Sequence, residues 1–199
     1  MEYINHLKKD KKLAAVIIKP VHERIKPNKN IPVQIMRNIM SQQLNTKVAD
    51  IIYKRFLSLY NNKEPKPEQV LSTTVETLRS IGLSNAKVQY VNNVAAFCIE
   101  QKITDKKLQA LCNDEIIALL TQIKGVGKWT TEMLLMFALG REDIFSLDDL
   151  GIQQAMIKLY NLKVTDKKKM RQRMVKIAAA WSPYRTYACL YLWEWKDGK

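Results

Sequence analysis

Leu120-Thr121-Gln122-Ile123-Lys124-Gly125-Val126-Gly127-Lys128-Trp129-Thr130 holds the end of one helix and the start of the next with only a few residues between them. Before it, Ile116, Leu119, Leu120 and Ile123 recur at helical spacing behind Asn113, a predicted N-cap; after it, Trp129, Met133, Met136 and Phe137 recur in the same way up to Gly140. Gly125 and Gly127 bracket one small apolar residue, a pattern that permits positive φ and close approach of another backbone. The amides at Gly127 and Lys128 then open a helix, where unpaired N–H groups and the helix dipole suit a phosphate oxygen. A plain tight turn between two helices would use the same glycines. Lys124 and Lys128 beside the turn favour the phosphate-binding reading, a helix-hairpin-helix over about residues 114–139.

Outward from the hairpin the helical period continues. Val48, Ile51, Ile52, Phe56, Leu59 and Tyr60 read as one helical stripe, and Val88, Val91, Ala95 and Cys98 form another behind Ser84 as N-cap. Residues 150–160, 166–180 and 184–195 read as three further helices, and the two prolines of residues 61–67 mark the clearest loop. With only 6 Gly, 6 Pro and few period-2 runs, an all-β architecture is excluded and the class is all-α. The predicted organisation is two helical subdomains, residues 31–144 and residues 1–30 with 145–199, with the active site in the cleft between them.

The chain has 199 residues, and its 33 Lys and Arg against 19 Asp and Glu leave a net charge of +14, which argues for a polyanionic partner. Most of the excess lies in residues 1–30 and 151–180; Lys167-Lys168-Lys169-Met170-Arg171-Gln172-Arg173 has almost no compensating acid. Such a run is commonly a solvated face, and here a phosphate-facing surface is an equal alternative. Cys98, Cys112 and Cys189 are odd in number and widely spaced, which suits a reducing compartment and neither a disulfide framework nor a metal cluster. No apolar run has the length of a membrane span, and the first residues lack the apolar core of a secretory signal. A soluble, intracellular protein is the expectation.

Beyond the hairpin, Asp148 and Asp149 sit in Ile144-Phe145-Ser146-Leu147-Asp148-Asp149-Leu150-Gly151-Ile152-Gln153. Helix capping explains one aspartate here. A second acid, on a chain poor in acids and destined for a polyanion, calls for another reason, and chemistry is one.

At this point the residues resemble a known family. Gly125-Val126-Gly127-Lys128-Trp129-Thr130, followed at position 149 by an aspartate, is similar to the helix-hairpin-helix–Gly/Pro–Asp DNA glycosylases, and most similar to their 3-methyladenine (alkylbase) branch. Ile39-Met40-Ser41-Gln42-Gln43-Leu44 resembles the family's S-Q-Q helix. The segment 78–90 resembles L-R-x-x-G-L-S-x-x-K-x-x-Y, and Trp181-Ser182-Pro183-Tyr184-Arg185 resembles W-x-P-[YW]-R. The resemblance spans roughly residues 33–195.

The resemblance implies a monofunctional glycosylase that flips alkylated purines out of duplex DNA and excises them hydrolytically in base excision repair. It puts the catalytic acid on Asp149, with no catalytic role for Asp148, and the walls of the base pocket on Trp129 and Trp193. DNA contacts fall on Lys124, Gly125, Gly127 and Lys128, with the wedge that fills the extrusion gap near Gln43. Lyase-competent branches carry a nucleophilic lysine where this chain has Trp129, so no Schiff base is expected there. Trp195 and Tyr187 read as core. Ser146 replaces the proline that often precedes the aspartate, and the extra N-terminal sheet domain of some larger relatives is not expected. Double-stranded DNA is the implied partner. No cofactor or metal is required, and a monovalent cation at the hairpin is a family expectation. The location would be the bacterial cytoplasm, at the nucleoid, or the eukaryotic nucleus. Two other readings stay open: a glycosylase for another lesion such as hypoxanthine or uracil, and a non-catalytic helix-hairpin-helix module.

Overall fold

The computed structural model describes every residue except 22, 24, 26, 28, 29, 164 and 199, and only the backbone of residue 46. The protein is all-α, with no strand among the described residues. In chain order the helices are α1 (Glu2–Leu7), α2 (Lys11–Ala14), α3 (Ile31–Ser41), α4 (Thr46–Ser58), α5 (Pro67–Leu71), α6 (Val75–Ser80) and α7 (Asn85–Glu100). They continue with α8 (Asp105–Ala110), α9 (Asn113–Leu120), α10 (Lys128–Phe137), α11 (Leu150–Tyr160), α12 (Lys167–Ala179) and α13 (Arg185–Lys196). None is long and apolar enough to cross a membrane.

The chain forms two compact units, one of Met1–Pro27 with Leu135–Lys199 and one of Asn28–Leu134. The sequence reading put the divisions at 30/31 and 144/145. The second division instead falls inside α10, whose far end carries Phe137 with its ring centroid 6.1 Å from that of Trp193.

In the unit Asn28–Leu134, α7 is the central element and packs against α5, α3 and α6, while α3 also packs against α4. Ile31, Val33, Ile35, Met36, Ile39 and Met40 of α3 are buried, each large aliphatic contributing about 1.5–3 kcal/mol. The start of α3 is held from a distance: the Asp105 carboxylate accepts hydrogen bonds from the amides of Asn30 (2.8 Å) and Ile31 (2.9 Å). On α4 the expected stripe splits. Ile52 and Phe56 are buried, but Val48 and Ile51 are exposed and line up with exposed Leu44. Apolar spacing alone does not tell a core face from a solvent face. Ser84 caps α7 as expected, whereas Asn113 is the first residue of α9 and not its cap; the cap is Cys112, whose amide is held by Glu115 at 2.7 Å.

In the other unit, α11 packs against α13 and α2. Trp181 and Tyr191 are fully buried. Asp10 ties the N-terminal segment to the C-terminal helices. Its carboxylate caps α2 through the amides of Lys12 and Leu13 and accepts from Tyr160 Oη (2.7 Å) and Trp181 Nε1 (3.1 Å). Burial pushes Asp10 up, but these donors outweigh it and leave its pKa below the ordinary 3.8. Asp143 behaves alike: burial raises it, and the Arg185 guanidinium and Ser182 hydroxyl bring it below 3.8. A carboxylate whose folded pKa is depressed contributes stability that is present above its unfolded value and is lost as pH falls through the folded one. The denaturation midpoint is therefore expected to drop as pH falls below about 3.8, and Asp10→Asn should flatten that acid limb in a denaturant titration series. No disulfide forms among Cys98, Cys112 and Cys189; burial pushes the Cys98 thiol up to about 12 and leaves it unreactive.

Candidate functional site

In the unit Met1–Pro27 with Leu135–Lys199, Asp149 is the N-cap of α11, with extended φ −71° and ψ 122°. Its Oδ1 accepts from the Ile152 amide at 2.8 Å and from Trp193 Nε1 at 2.9 Å. The capping and functional readings thus fall on the same residue. The half-buried carboxylate lies at the positive end of an eleven-residue helix and is held from a second helix by an indole N–H.

Two features that sequence reasoning missed make this contact possible. The first is Gly151. A Cβ at that position would stand 3.0 Å from Asp149 Oδ1 and 3.1 Å from Trp193 Cδ1, a tight fit that would push the carboxylate and the indole apart by a few tenths of an ångström. The second is the anchoring of α13, which carries Trp193. Arg185 donates through Nε (2.6 Å) and Nη2 (2.9 Å) to the two oxygens of Asp143, and Phe137 lies against the Trp193 ring. Gly151→Ala is expected to lower activity at least tenfold, the effect of disturbing one hydrogen bond to a charged group. Its stability should change by less than about 1 kcal/mol, because alanine's helix propensity offsets the tight contact. Excision rate and denaturant midpoint, measured on the same preparation, check both parts.

The second acid has a different occupation. Asp148 is exposed and pairs with Arg171 Nη2 of α12 at 2.5 Å. Ser146 is fully buried, and its carbonyl accepts the Asp149 amide at 3.2 Å, completing the turn into α11.

In the unit Asn28–Leu134, α9 and α10 flank the hairpin, and its two glycines do different work. Gly125 has φ +102°, and a Cβ there would lie within 3 Å of three Tyr90 atoms, among them its Cβ at 2.7 Å. Gly127 does not use the positive φ that glycine permits, and a Cβ there would meet nothing within 4 Å among the described residues. The turn's curvature comes from Gly125, and Gly127 leaves its surface open. Lys124 and Lys128 are both exposed. Lys128 Nζ lies 3.8 Å from the carboxylate of buried Glu132, so its charge is partly shared within α10.

The turn between α3 and α4 is bolted to this hairpin. Gln42 Nε2 donates to the Gly125 carbonyl (3.4 Å) and to Thr130 Oγ1 (3.2 Å). Lys87 Nζ donates to the carbonyls of Met40 and Gln42, both at 2.8 Å, and burial lowers its pKa. Lys87 and Tyr90 belong to the L-R-x-x-G-L-S-x-x-K-x-x-Y segment, and the structure supplies the reason for both: one holds the S-Q-Q turn, and the other fills the space that Gly125 leaves. Gln43 stands exposed at the tip of that turn with φ +59°, a left-handed conformation uncommon for a residue with a side chain and frequent at functional sites. Trp129 is 37% exposed and lines a cavity of about 350 Å³ together with Asn38, Ser41, Leu44 and the Arg37–Asp50 ion pair.

The expected site residues therefore fall into two groups. Asp149 and Trp193 meet in one unit; Gln43, Lys124, Gly125, Gly127, Lys128 and Trp129 lie in the other. Among the described residues, no group of three or more His, Cys, Asp or Glu could hold a metal ion. The hairpin carbonyls of Lys124 and Gly125 already accept from Asn93 and Gln42 side chains.

Comparison with known proteins adds independent findings. The model of the HhH-GPD superfamily base excision DNA repair proteins matches residues 36–180. The DNA-3-methyladenine glycosylase 1 of Schizosaccharomyces pombe is 37% identical over 163 residues, covering 81% of this chain and 70% of that protein. The structure of the 3-methyladenine DNA glycosylase of the same yeast in complex with abasic DNA superposes with a TM-score of 0.83 at 31% identity, covering 99% of this chain and 97% of that one. The structure of a DNA-3-methyladenine glycosidase from Bacillus halodurans superposes with a TM-score of 0.78 at 34% identity, covering 96% and 87%. The chain spans between 37% and 75% of the lengths of the curated relatives it matches. With the family model matching residues 36–180 and a relative 37% identical over 81% of the chain, the chain belongs to the HhH-GPD superfamily of base excision DNA repair proteins.

Proposed function

We propose that this chain is a monofunctional DNA glycosylase of the 3-methyladenine class, which hydrolyses the N-glycosidic bond of alkylated purines in duplex DNA. The observation that carries the reading is Asp149, a carboxylate fixed at a helix N-terminus by the Trp193 indole at 2.9 Å. A glycosidic bond inside a duplex is out of reach, so the nucleotide must first leave the stack. The open N-terminus of α10 at Gly127 and the cations Lys124 and Lys128 suit the phosphates, and the strained, exposed Gln43 suits the gap left behind.

An alkylated purine such as 3-methyladenine is cationic and already a good leaving group. An aromatic face such as that of Trp129 attracts it by roughly 0.5–2 kcal/mol more than a neutral base. As the C1′–N bond breaks, its electron pair leaves with the base, which departs neutral, and the sugar acquires oxocarbenium character. The Asp149 carboxylate stabilises that charge and takes the proton of the water whose oxygen bonds to C1′. Position 129 holds an indole and no amine, so no Schiff base forms there and the backbone is left uncut. The partner is double-stranded DNA, and the cellular location is that of the DNA, the nucleoid of a bacterium or the nucleus of a eukaryote.

DNA treated with a methylating agent, and duplexes holding hypoxanthine or uracil, separate the alternatives when incubated with the chain and then heated in alkali. Alkali-sensitive sites are expected on the methylated DNA at a rate well above the other two. A preference for uracil or hypoxanthine would reassign the lesion, and no site on any substrate would reduce the chain to a binding module.

A further inference from the structure

A cavity of about 650 Å³ opens beside the C-terminal helices. It is a groove against α12, lined by Leu147, Lys167, Lys168, Arg171, Gln172 and Val175. Helix α12 carries six cationic side chains and no acidic one. Lys169 pairs with Asp166 and Arg171 with Asp148, while among the described residues no ion pair reaches Lys167, Lys168, Arg173 or Lys176. The floor is apolar: Leu147 is half-buried, and Val175 is 49% exposed although it sits on a helix with few other exposed apolar groups.

Resting on the glycosylase reading, we infer that this groove carries the sugar–phosphate backbone flanking the extruded nucleotide. Lys167, Lys168 and Arg171 meet phosphates, and Leu147 and Val175 meet the apolar faces of the deoxyriboses. Charge complementarity selects the occupant, since an apolar floor between cationic walls fits a chain in which apolar sugars alternate with anions. Covalent connection fixes the place. Leu147 is two residues from Asp149, so at most about 7 Å of backbone separates the groove from the acid that faces C1′. Phosphates follow one another every 3.4 Å of helix axis along each strand. DNA with a sugar at Asp149 therefore has further phosphates within reach of the first turns of α12. The Asp148–Arg171 pair, 2.5 Å apart, joins α12 to the turn that carries Asp149.

The test is the salt dependence of binding to a duplex with a central abasic-site analogue, measured for the wild type, for Lys167→Ala with Lys168→Ala, and for Lys63→Ala with Lys106→Ala as a control of equal charge change. Each lost phosphate contact lowers the slope of log affinity against log salt by about 0.9. The α12 double variant is expected to lose nearly two units of slope and the control none. An unchanged slope in the α12 variant overturns the inference and leaves the groove to another anionic partner such as an acidic protein segment. An equal loss in both double variants overturns it too, because only net charge would then matter. Failure of the glycosylase reading looks different: the wild type would bind the abasic duplex yet release no base from methylated duplex DNA.

Discussion

Asp149→Asn is expected to lower single-turnover release of methylated purines by about 10²–10³-fold or more while duplex affinity stays the same or rises. The substitution is chosen for what it preserves. Asn is as good an N-cap as Asp, and its Oδ1 can still accept from the Ile152 amide and the Trp193 indole. Helix α11 should therefore start where it does now, with an unchanged denaturation midpoint. What disappears is the negative charge, which opposes DNA phosphates in binding and supports the oxocarbenium sugar in the reaction. Asp149→Ala differs: it also removes the cap, at about 1 kcal/mol of stability. Wild-type turnover in Asp149→Asn would mean that the residue is a cap and nothing more.

The largest structural effect is expected at Gly125. Gly125→Ala places a methyl group against the Tyr90 ring and forces a side-chain-bearing residue to φ +102°. Overpacking and a disfavoured backbone region each cost about 1–3 kcal/mol, so a loss of roughly 2–5 kcal/mol is expected in a denaturant titration. Because the Gly125 carbonyl also accepts from Gln42, the S-Q-Q turn should loosen with the hairpin, and DNA affinity should fall. Gly127→Ala is the counterpart. With nothing within 4 Å of its Cβ and no positive φ, it should fold as well as wild type and show its effect only when a phosphate comes close. Tyr90→Ala in the Gly125→Ala background removes the ring contacts but leaves the Tyr90 Cβ position at 2.7 Å and the φ of +102°, so only part of the stability should return.

These contrasts show what a linear reading reaches. Helix class and most helix bounds follow from the 3.6-residue period and from N-caps such as Ser84 and Asp149, because both are local. Asn113 misled by one position, since Cys112 and Glu115 close a capping box that the sequence does not advertise. Val48 and Ile51 misled more, being apolar and correctly spaced yet exposed, because burial depends on which neighbours arrive and not on period. The partners that build the site were the least legible. Arg171 for Asp148, and Lys87 and Tyr90 for the two turns, lie tens of residues away and their distances come only from the fold, whereas Trp193 beside Asp149 was implied by the family resemblance. Gly151 passed unnoticed because a glycine in a first helical turn looks like a mild propensity defect until an indole is found against it.

The central claim is that a carboxylate and water, with no amine, release the base. Product analysis of methylated duplex DNA incubated with the wild-type chain in the presence of sodium borohydride tests it most directly. Free methylated purine, unbroken strands and no protein–DNA adduct are the predicted result; a trapped adduct, or strands cut without alkali, would contradict it.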